Sequence, residues 1–472
     1  MSHRYATSCM HWESCLRPAA IGAGIDLAFL EDEAMECGRM GDGANGGRGR
    51  DSRDVRLYQD RRKGAPVLAM GDPQASLRQV REVLRLHGGL DAIGAIPADR
   101  TVLSMGDHFD YRTTDEDATA EGLAVLSWLG GQPPNRVALL LGNHDLGRVC
   151  ELSACTTETF RAAAEAARAL SDARSAFARM PDPDRRAAVA DLNRKELAFA
   201  DRFPFVPTVD LAGRDWTSFS ADQRDRVQRL LTEGRFSLAA VAVLPDGTRA
   251  LATHAGVTPR ELALLGCPDE RDPDAITTRL NRFLDRRVEE VADRWQRGQA
   301  APLDLAPLNL PGCGGVDTVH AELWGKGGFP GRYACGHEGG GLLNHRPARR
   351  DREGRDIDLP WEWNADRPRR FDPRVLPQGL VQVVGHVPNR RLVSELGKEW
   401  VPEDRRERLL SGLRVLRTDG VAVTLEPWEE AGPAVAGEAT MIFVDVGLAA
   451  QDLDAGGGRW FLLPLLGCEV PR

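Results

Sequence analysis

The pattern that decides the fold of this chain lies in residues 101–145, which read TVLSMGDHFDYRTTDEDATAEGLAVLSWLGGQPPNRVALLLGNHD. Buried strands are predicted at two apolar runs, TVLSM (101–105) and RVALLL (136–141). The segment between them, EGLAVLSWLGG (121–131), predicts a helix. A strand, a helix and a second strand in this order are typical of a βαβ unit in an α/β core.

The same alternation continues on both sides of this unit. Upstream, VLAM (67–70) predicts a strand, and LRQVREVLRLHGGL (77–90) predicts a helix because its apolar residues recur at helical spacing. Downstream, further strands are predicted at SLAAVAVL (237–244), RALATHAG (249–256), LVQVVGH (380–386), LRVLR (413–417), VAVTL (421–425) and TMIFVDVG (440–447). The expected fold class is therefore α/β (α+β).

The other segments divide into an extension and two insertions. Residues 1–64 are rich in glycine and charge and show no periodicity, so they predict a disordered or weakly ordered extension, with a partner-binding arm as the alternative. One domain is expected over residues 65–472. It contains a helical insertion at about 150–236, which either covers a site or packs on the core as a helical hairpin, and an irregular insertion at about 257–380.

Composition narrows the class of protein. Of the 472 residues, 42% are hydrophobic, which is ample for a buried core. The net charge of −9 argues against a nucleic-acid or membrane-surface binder, because both need a positive surface. No apolar stretch approaches the roughly 18 residues of a membrane span, and the N-terminus lacks the apolar region of a secretory signal. The nine cysteines form no C-x-x-C pair, which argues against a disulfide scaffold or a zinc knuckle. A cytoplasmic globular protein is expected.

Five of the apolar runs end in side chains that can bind metal ions. Because ligands bind beyond the carboxyl ends of strands in α/β sheets, these side chains are expected to meet in one crevice. Taken singly, each cluster is weak, since a Gly-Asp pair after a strand is ordinary turn chemistry. Together they form a ligand set suited to Mn²⁺, Fe, Zn²⁺ or Mg²⁺. The residues are Asp72, Gln74, Asp107, Asp110, Asn143, His144, Asp145, His254 and His386.

In this order the motifs resemble the calcineurin-like metallophosphoesterase superfamily, whose pattern runs D-x-H, G-D-x-x-D, G-N-H-[E/D], a single His and then G-H. Three segments are similar to its phosphoprotein-phosphatase-like branch: GDPQASLRQVREVL (71–84), THAG (253–256) and IFVDVG (442–447). The resemblance implies a metallophosphoesterase-type four-layer α/β/β/α sandwich, here with a helical insertion.

The resemblance also implies a binuclear metal centre. Asp107 would bridge two divalent ions. Mn²⁺ is the favoured ion, with Fe, Zn²⁺ or Mg²⁺ as alternatives. A hydroxide between the two ions would attack phosphorus. The first ion would be held by Asp72 and Gln74, and the second by Asn143, His254 and His386.

The resemblance assigns the proton donor and two candidate phosphate-binding arginines. His144 would protonate the leaving group and would itself be oriented by Asp110. Arg112 and Arg332 are the candidates for binding phosphate, although Tyr111 displaces Arg112 from the position that the branch uses.

Other residues depart from the family pattern or lie outside it. Gln74 stands where the family has histidine, and Pro388 in GHVP supplies no second histidine ligand. Asp145 is expected to support its loop through backbone hydrogen bonds, and His108 is interpreted as an ordinary loop histidine. A second metal site among His320, Cys335, His337 and His345 is a weak hypothesis, because their spacing is irregular.

The sequence therefore favours a metal-dependent phosphoesterase that hydrolyses phosphate monoesters, with a phosphoprotein or a small phosphoester as its substrate. A phosphodiesterase or a dinucleotide polyphosphate hydrolase on the same centre is the alternative. A catalytically silent scaffold is less favoured, because nearly every ligand position of the family is filled.

Overall fold

A computed structural model describes residues 56–57, 67–111, 115–206, 209, 211–309, 341–349, 370–447 and 461–472. These residues form a mixed α/β fold with several sheets, which confirms the predicted class. Most of the predicted extension lies outside the described residues. Its residues Arg56–Leu57, however, form a short strand that pairs with the C-terminal strand Gly467–Val470.

The strands follow the apolar runs of the sequence, and the strands of the first βαβ units are completely buried, as expected for strands covered on both faces. They are β1 Arg56–Leu57, β2 Val67–Met70, β3 Thr101–Ser104, β4 Val137–Leu140, β5 Phe236–Ser237, β6 Ala239–Val243, β7 Arg249–Thr253, β8 Arg346–Pro347, β9 Arg370–Phe371, β10 Val381–Val384, β11 Arg414–Thr418, β12 Val423–Pro427, β13 Ala439–Phe443, β14 Leu463–Leu465 and β15 Gly467–Val470.

The helices alternate with these strands in the first half of the chain. They are α1 Leu77–Leu86, α2 Asp115–Gly130, α3 Asn143–Val149, α4 Thr157–Ala178, α5 Asp182–Arg202, α6 Ala221–Thr232, α7 Pro259–Leu264, α8 Pro273–Gln296, α9 Asn389–Trp400 and α10 Glu403–Arg406. None of the helices in the described part of the chain has the length and apolar composition needed to cross a bilayer.

In each of the two large sheets, the carboxyl ends of parallel strands lie along one edge. The five-stranded sheet has the order β14-β2-β3-β4-β5, and β2 to β5 run parallel. The eight-stranded sheet has the order β1-β15-β6-β7-β10-β13-β11-β12, with β7, β10 and β13 parallel at its centre. The five-stranded sheet therefore brings four parallel strand ends to one edge, and the eight-stranded sheet brings three.

The two sheets pack face to face through one apolar cluster. This cluster contains Leu103 and Leu140 from the five-stranded sheet and Ala252 and Val383 from the eight-stranded sheet. The outer faces are covered by helices: α1 packs on the five-stranded sheet and α9 on the eight-stranded sheet. Alternate residues of each strand thus face the opposite sheet or a helix.

The segment between β4 and β5 is helical and has its own apolar core. Helices α4 and α5 pack together, with Phe160 and Ala167 on α4 facing Phe199 on α5. This core also includes Trp216 and Phe219, from the chain that follows α5. The hairpin is therefore joined to the residues that lead back into α6.

The stretch expected to be irregular, 257–380, is regular where α7 and α8 lie. Helix α8 is 24 residues long and begins at the N-cap Asp272, followed by Pro273. Its buried positions include Ile276, Leu280 and Leu284, which recur at helical spacing. The high content of arginine and acidic residues on its other faces concealed this periodicity. Residues 310–340 and 350–369 lie outside the described part of the chain.

A buried asparagine on α8 holds the point where the chain crosses from one sheet to the other. Asn281 accepts hydrogen bonds from the N–H groups of Leu238 and Ala239, both at 3.0 Å. Its amide donates to the carbonyls of Ala239 (3.0 Å) and Pro471 (2.7 Å). One side chain thus satisfies four backbone groups that the sheets leave unpaired.

Replacing Asn281 by alanine should lower the free energy of unfolding by about 3 kcal/mol, because buried backbone groups would lose their partners. Urea unfolding followed by circular dichroism measures this loss. The neighbouring exposed residue provides the control, since Arg282→Ala should change stability by less than about 0.5 kcal/mol. Equal stabilities for the two variants would contradict the role of Asn281.

Candidate metal centre

Four buried side chains from both sheets meet at the strand ends. Asp72 follows β2, Asp107 follows β3, His254 follows β7 and His386 follows β10. One ligand atom from each lies within 4.8 Å of the others, so this cluster could hold a metal ion. The expected meeting of these strand ends in one crevice is confirmed for these four residues.

Two glycines allow the chain to pass close to the carboxylates. A Cβ atom on Gly142 would lie 2.2 Å from Asp107 Oδ1, and one on Gly385 would lie 2.5 Å from Asp72 Oδ1. Both separations are far inside van der Waals contact. The glycine of GNHD is therefore required by the close approach of two neighbouring strand ends in the five-stranded sheet, and the glycine of GHVP by the close approach of the two sheets.

Backbone strain is concentrated at this site. Among the described residues, the non-glycine residues with positive φ are Asp107 (58°), Asp110 (68°) and His386 (62°). Such conformations cost about 1–3 kcal/mol each and persist only where surrounding contacts impose them. All three residues belong to the set that the sequence singled out, which supports a functional origin for the strain.

Asp145 fixes the two loops that carry Asp107 and Asn143. Its carboxylate accepts hydrogen bonds from the N–H groups of Asp107 (3.0 Å) and Gly142 (2.9 Å). This is the loop-supporting role expected from the sequence. His108 is more than an ordinary loop histidine, because it is fully buried with Nδ1 3.0 Å from Asp145 and Nε2 2.9 Å from Ser104 Oγ.

His254 has the orientation of a metal ligand. Its Nδ1 lies 2.7 Å from the carbonyl oxygen of Met105, so we assign the proton to Nδ1. Its Nε2 then presents a lone pair toward Asp107, with Oδ1 at 3.5 Å. Metal-binding histidines are typically held in this way, with the second ring nitrogen donating to a carbonyl or carboxylate.

The amide of Asn143 points into the same cluster. The amide atom that faces the cluster lies 3.0 Å from His386 Nδ1, 3.1 Å from His254 Nε2 and 3.2 Å from Asp107 Oδ2. With its nitrogen facing the cluster, the amide donates hydrogen bonds to these three groups. With its oxygen facing the cluster, the amide places one more electron pair among groups that already carry lone pairs, and a cation between these groups would stabilise that orientation. The set of electron-pair donors therefore fits a metal ion.

The carboxylates of the cluster are buried and lie close to one another. Burial, together with the nearby carboxylates of Asp445 and Asp107, raises the pKa of Asp72 well above its usual range. Burial also raises the pKa of Asp445 to about 6. Although burial opposes it, the attraction of His254 and His144 lowers the pKa of Asp107 to about 2. A divalent cation would compensate these charges.

Asp445 is a residue whose role the sequence analysis missed. It follows β13, which pairs in parallel with β10, and it is buried. A Cβ atom on Gly71 would lie 2.7 Å from its Cα, so Asp445 is adjacent to the Asp72 loop. The motif IFVDVG marked this strand end but assigned no role to its aspartate.

The remaining predicted residues lie at the edge of the cluster or outside the described chain. Gln74 is half-buried, two residues after Asp72, and its role as a ligand stays a prediction. The candidates Arg112 and Arg332, and His320, Cys335 and His337 of the weak second metal site, lie outside the described residues. His345 is buried, with Nε2 3.0 Å from Glu261 Oε2.

His144 and Asp110 form a close pair beside the cluster. His144 Nδ1 lies 2.5 Å from Asp110 Oδ2, while Nε2 faces Asp107 with Oδ2 at 3.8 Å. Burial would lower the pKa of His144, but the carboxylates of Asp107 and Asp110 outweigh it and raise the pKa. The His144 side chain is 17% exposed, so a bound molecule can reach it.

A buried arginine holds Asp110 from the other side. Arg148 Nη1 lies 2.7 Å from Asp110 Oδ2, and Nη2 lies 2.9 Å from Oδ1, which gives a two-pronged ion pair. Burial opposes it, but Arg148 and His144 lower the pKa of Asp110 below its usual range. Sequence analysis missed Arg148, although it lies four residues after His144 on α3 and thus on the same helix face.

Comparison with protein-family models, curated proteins and solved structures finds no match for this chain. The interpretation of the site therefore depends on its own geometry.

Stability of the metal-free protein should fall as the pH rises from about 5.5 to about 7.5. The raised pKa of Asp445 means that the folded state binds more protons than the unfolded chain in this range. Asp445 alone should contribute about 1 kcal/mol to the change. The raised pKa values of His144 and His254 act in the same direction.

Urea unfolding in the presence of a chelator, at both pH values, measures this slope. Asp445→Asn should flatten it, whereas the exposed control Asp269→Asn should leave it unchanged. Identical slopes for wild type and Asp445→Asn would show that Asp445 carries no excess charge in the fold.

Proposed function

We propose that this chain is a metal-dependent phosphoesterase of the calcineurin-like metallophosphoesterase superfamily, in its phosphoprotein-phosphatase-like branch, and that it hydrolyses phosphate monoesters. One observation carries the proposal. The buried cluster of Asp72, Asp107, His254 and His386 lies directly beside the partly exposed ring of His144, which Asp110 holds. A metal-ligand cluster and a carboxylate-bound histidine in contact are the two parts that metal-assisted phosphoester hydrolysis needs.

The chain offers enough donors for two ions. Asp107 would be shared, Asp72 and Gln74 would hold the first ion, and the second would be held by Asn143, His254 and His386. When bound, two divalent ions, with Mn²⁺ as the first candidate, supply an activated water and neutralise charge on phosphoryl oxygens. The donor set of carboxylate, amide and imidazole fits such ions, because it combines hard oxygen with borderline nitrogen ligands.

His144 would act as the general acid. Its Nδ1–H is held by Asp110, which leaves Nε2 to carry a proton to the oxygen of the leaving group. Burial opposes it, but Asp107 and Asp110 raise the pKa of His144, which favours the protonated ring that a proton donor needs. Arg148 holds Asp110 in place and remains fully buried, away from substrate.

The fold is consistent with this assignment. Two sheets that pack face to face, with helices on the outer faces, support the four-layer α/β/β/α sandwich of the superfamily. The proposed substrate is a phosphoprotein or a small phosphoester. A cytoplasmic location is also proposed, since no disulfide joins the described cysteines Cys150, Cys155, Cys267 and Cys468.

The proposal predicts that the purified protein hydrolyses an aryl phosphate monoester when Mn²⁺ is added, and that Asp107→Asn abolishes this activity. A carboxylate oxygen of Asp107 lies within 4.8 Å of ligand atoms on Asp72, His254 and His386, so its loss should remove the metals while circular dichroism reports an intact fold. Metal content by mass spectrometry and turnover of the monoester beside the matching diester are the measurements. Turnover by the variant equal to that of wild type would contradict the assignment, and faster turnover of the diester would favour a phosphodiesterase.

A second prediction concerns the leaving group. His144→Ala should slow hydrolysis of an alkyl phosphate by about 10²- to 10⁴-fold, the usual contribution of a positioned general acid. The loss should be much smaller for p-nitrophenyl phosphate, because nitrophenolate leaves without a proton. Equal losses on both substrates would show that His144 is not the proton donor.

A further inference from the structure

The chain that follows α5 returns to the proton donor. After a helical turn at Leu211–Asp215, residues 216–220 run past the His144–Asp110 pair before α6 begins. Two of these residues, Trp216 and Ser218, are buried against the pair. They lie more than seventy residues from His144 in sequence, so only the folded helical insertion brings them there.

Ser218 holds Asp110 by three hydrogen bonds. Its backbone N–H and its hydroxyl both donate to Asp110 Oδ1, at 3.1 and 2.8 Å. The hydroxyl oxygen accepts from the Asp110 N–H at 3.1 Å and from Arg148 Nη2 at 3.2 Å. The single hydroxyl proton and both lone pairs are therefore used. Ser218 and Arg148 together fix the carboxylate whose other oxygen accepts the hydrogen bond from His144 Nδ1–H.

Trp216 covers one side of the imidazole. The ring centroids of Trp216 and His144 lie 4.5 Å apart with an interplanar angle of 67°, which is edge-to-face packing. The indole reaches this position because residue 147 is glycine; a Cβ there would lie 2.5 Å from Trp216 Cζ2. Trp216 also lies 5.2 Å from the guanidinium of Arg148. The ring of His144 thus packs against a fixed wall.

The position of these two residues depends on the packing of the insertion. Trp216 belongs to the apolar core of the α4–α5 hairpin. Phe219 packs on Phe160 of α4, with ring centroids 5.0 Å apart. The Ala221 N–H donates to Thr157 Oγ1 at the start of α4 (3.1 Å). The hairpin and the segment beside His144 therefore form one packed unit.

We infer that residues 216–220, held in place by the α4–α5 hairpin, are part of the proton-donating machinery, with Ser218 and Trp216 as positioning residues that hold Asp110 and the ring of His144. This inference rests on the proposed function, because it assumes that His144 donates a proton to the leaving group. A proton donor is effective only when the proton points at the reacting oxygen, and small displacements cost about 10²-fold in rate. Both residues are buried against the His144–Asp110 pair, so each acts through that pair.

The test compares Ser218→Ala and Trp216→Leu on two substrates in the presence of Mn²⁺. Each variant should slow hydrolysis of an alkyl phosphate by about 10- to 10²-fold and change hydrolysis of p-nitrophenyl phosphate by less than about 3-fold. Trp216→Phe retains an aromatic wall and should restore most of the alkyl phosphate activity. Equal losses on both substrates would overturn the inference.

Two control variants separate positioning from stability. Ser175→Ala lies on an exposed face of α4 and should leave both activities unchanged. Leu396→Ala weakens the core between α9 and the eight-stranded sheet, which contains no residue of the helical insertion, so it should lower the melting temperature and affect both substrates alike. If Leu396→Ala matched the substrate selectivity of Ser218→Ala, the effect would come from general loosening, and the inference would fail.

A spectroscopic readout separates this inference from the proposed function. In the Mg²⁺-loaded protein, the His144 Nδ1 proton should give a downfield resonance in the proton NMR spectrum, assigned by its absence in His144→Ala. Ser218→Ala should shift this resonance or remove it by exchange, and Ser175→Ala should not. An inactive wild type whose resonance responds in this way would overturn the proposed function and leave the positioning supported. A resonance unaffected by Ser218→Ala would overturn the positioning, whatever the activity.

Discussion

Three carboxylates, Asp72, Asp107 and Asp445, are buried where strand ends of the two sheets meet. Burial is the largest cause of the raised pKa of Asp72, and repulsion from the nearby carboxylates of Asp445 and Asp107 raises it further. A buried charge that is not compensated costs several kcal/mol, so the arrangement needs positive charge at its centre. The imidazoles of His254 and His386 face this point, and divalent cations would compensate the charge more completely.

The site depends on the packing of the two sheets against each other. The five-stranded sheet contributes Asp72, Asp107 and Asn143, and the eight-stranded sheet contributes His254 and His386. A direct hydrogen bond joins the residues of the two sheets, because the His386 N–H donates to Asp72 Oδ1 at 2.9 Å. Neither sheet alone carries a complete set of ligands. The glycines and the left-handed residues at the strand ends permit this close approach.

The four residues of the buried cluster could be predicted to meet from the sequence because each lies shortly after an apolar run. Asp72, Asp107, His254 and His386 are local features of strand ends, and the parallel order of the strands brings them together. Asp445 has the same local pattern, but its proximity to Asp72 depends on β13 pairing beside β10, which no single strand reveals. Helix α8 was missed because charged residues surround its apolar positions.

Contacts between distant segments could not be predicted in the same way. Arg148 lies one helical turn after His144, so helical spacing could have revealed it. Ser218 and Trp216 reach the pair only because the α4–α5 hairpin folds back on the core. Nothing near residue 218 in the sequence indicates that its hydroxyl bonds to Asp110. The helical insertion thus adds distant residues to a site whose other residues lie at strand ends.

We propose that residues at the strand ends of both sheets form a metal centre. Diffraction from crystals of the protein equilibrated with Mn²⁺, recorded where manganese scatters anomalously, tests this claim directly. We expect two anomalous peaks, both adjacent to Asp107. One peak should lie on the side of Asp72, and the other on the side of Asn143, His254 and His386. Saturating Mn²⁺ that leaves no anomalous peak among these residues would contradict it.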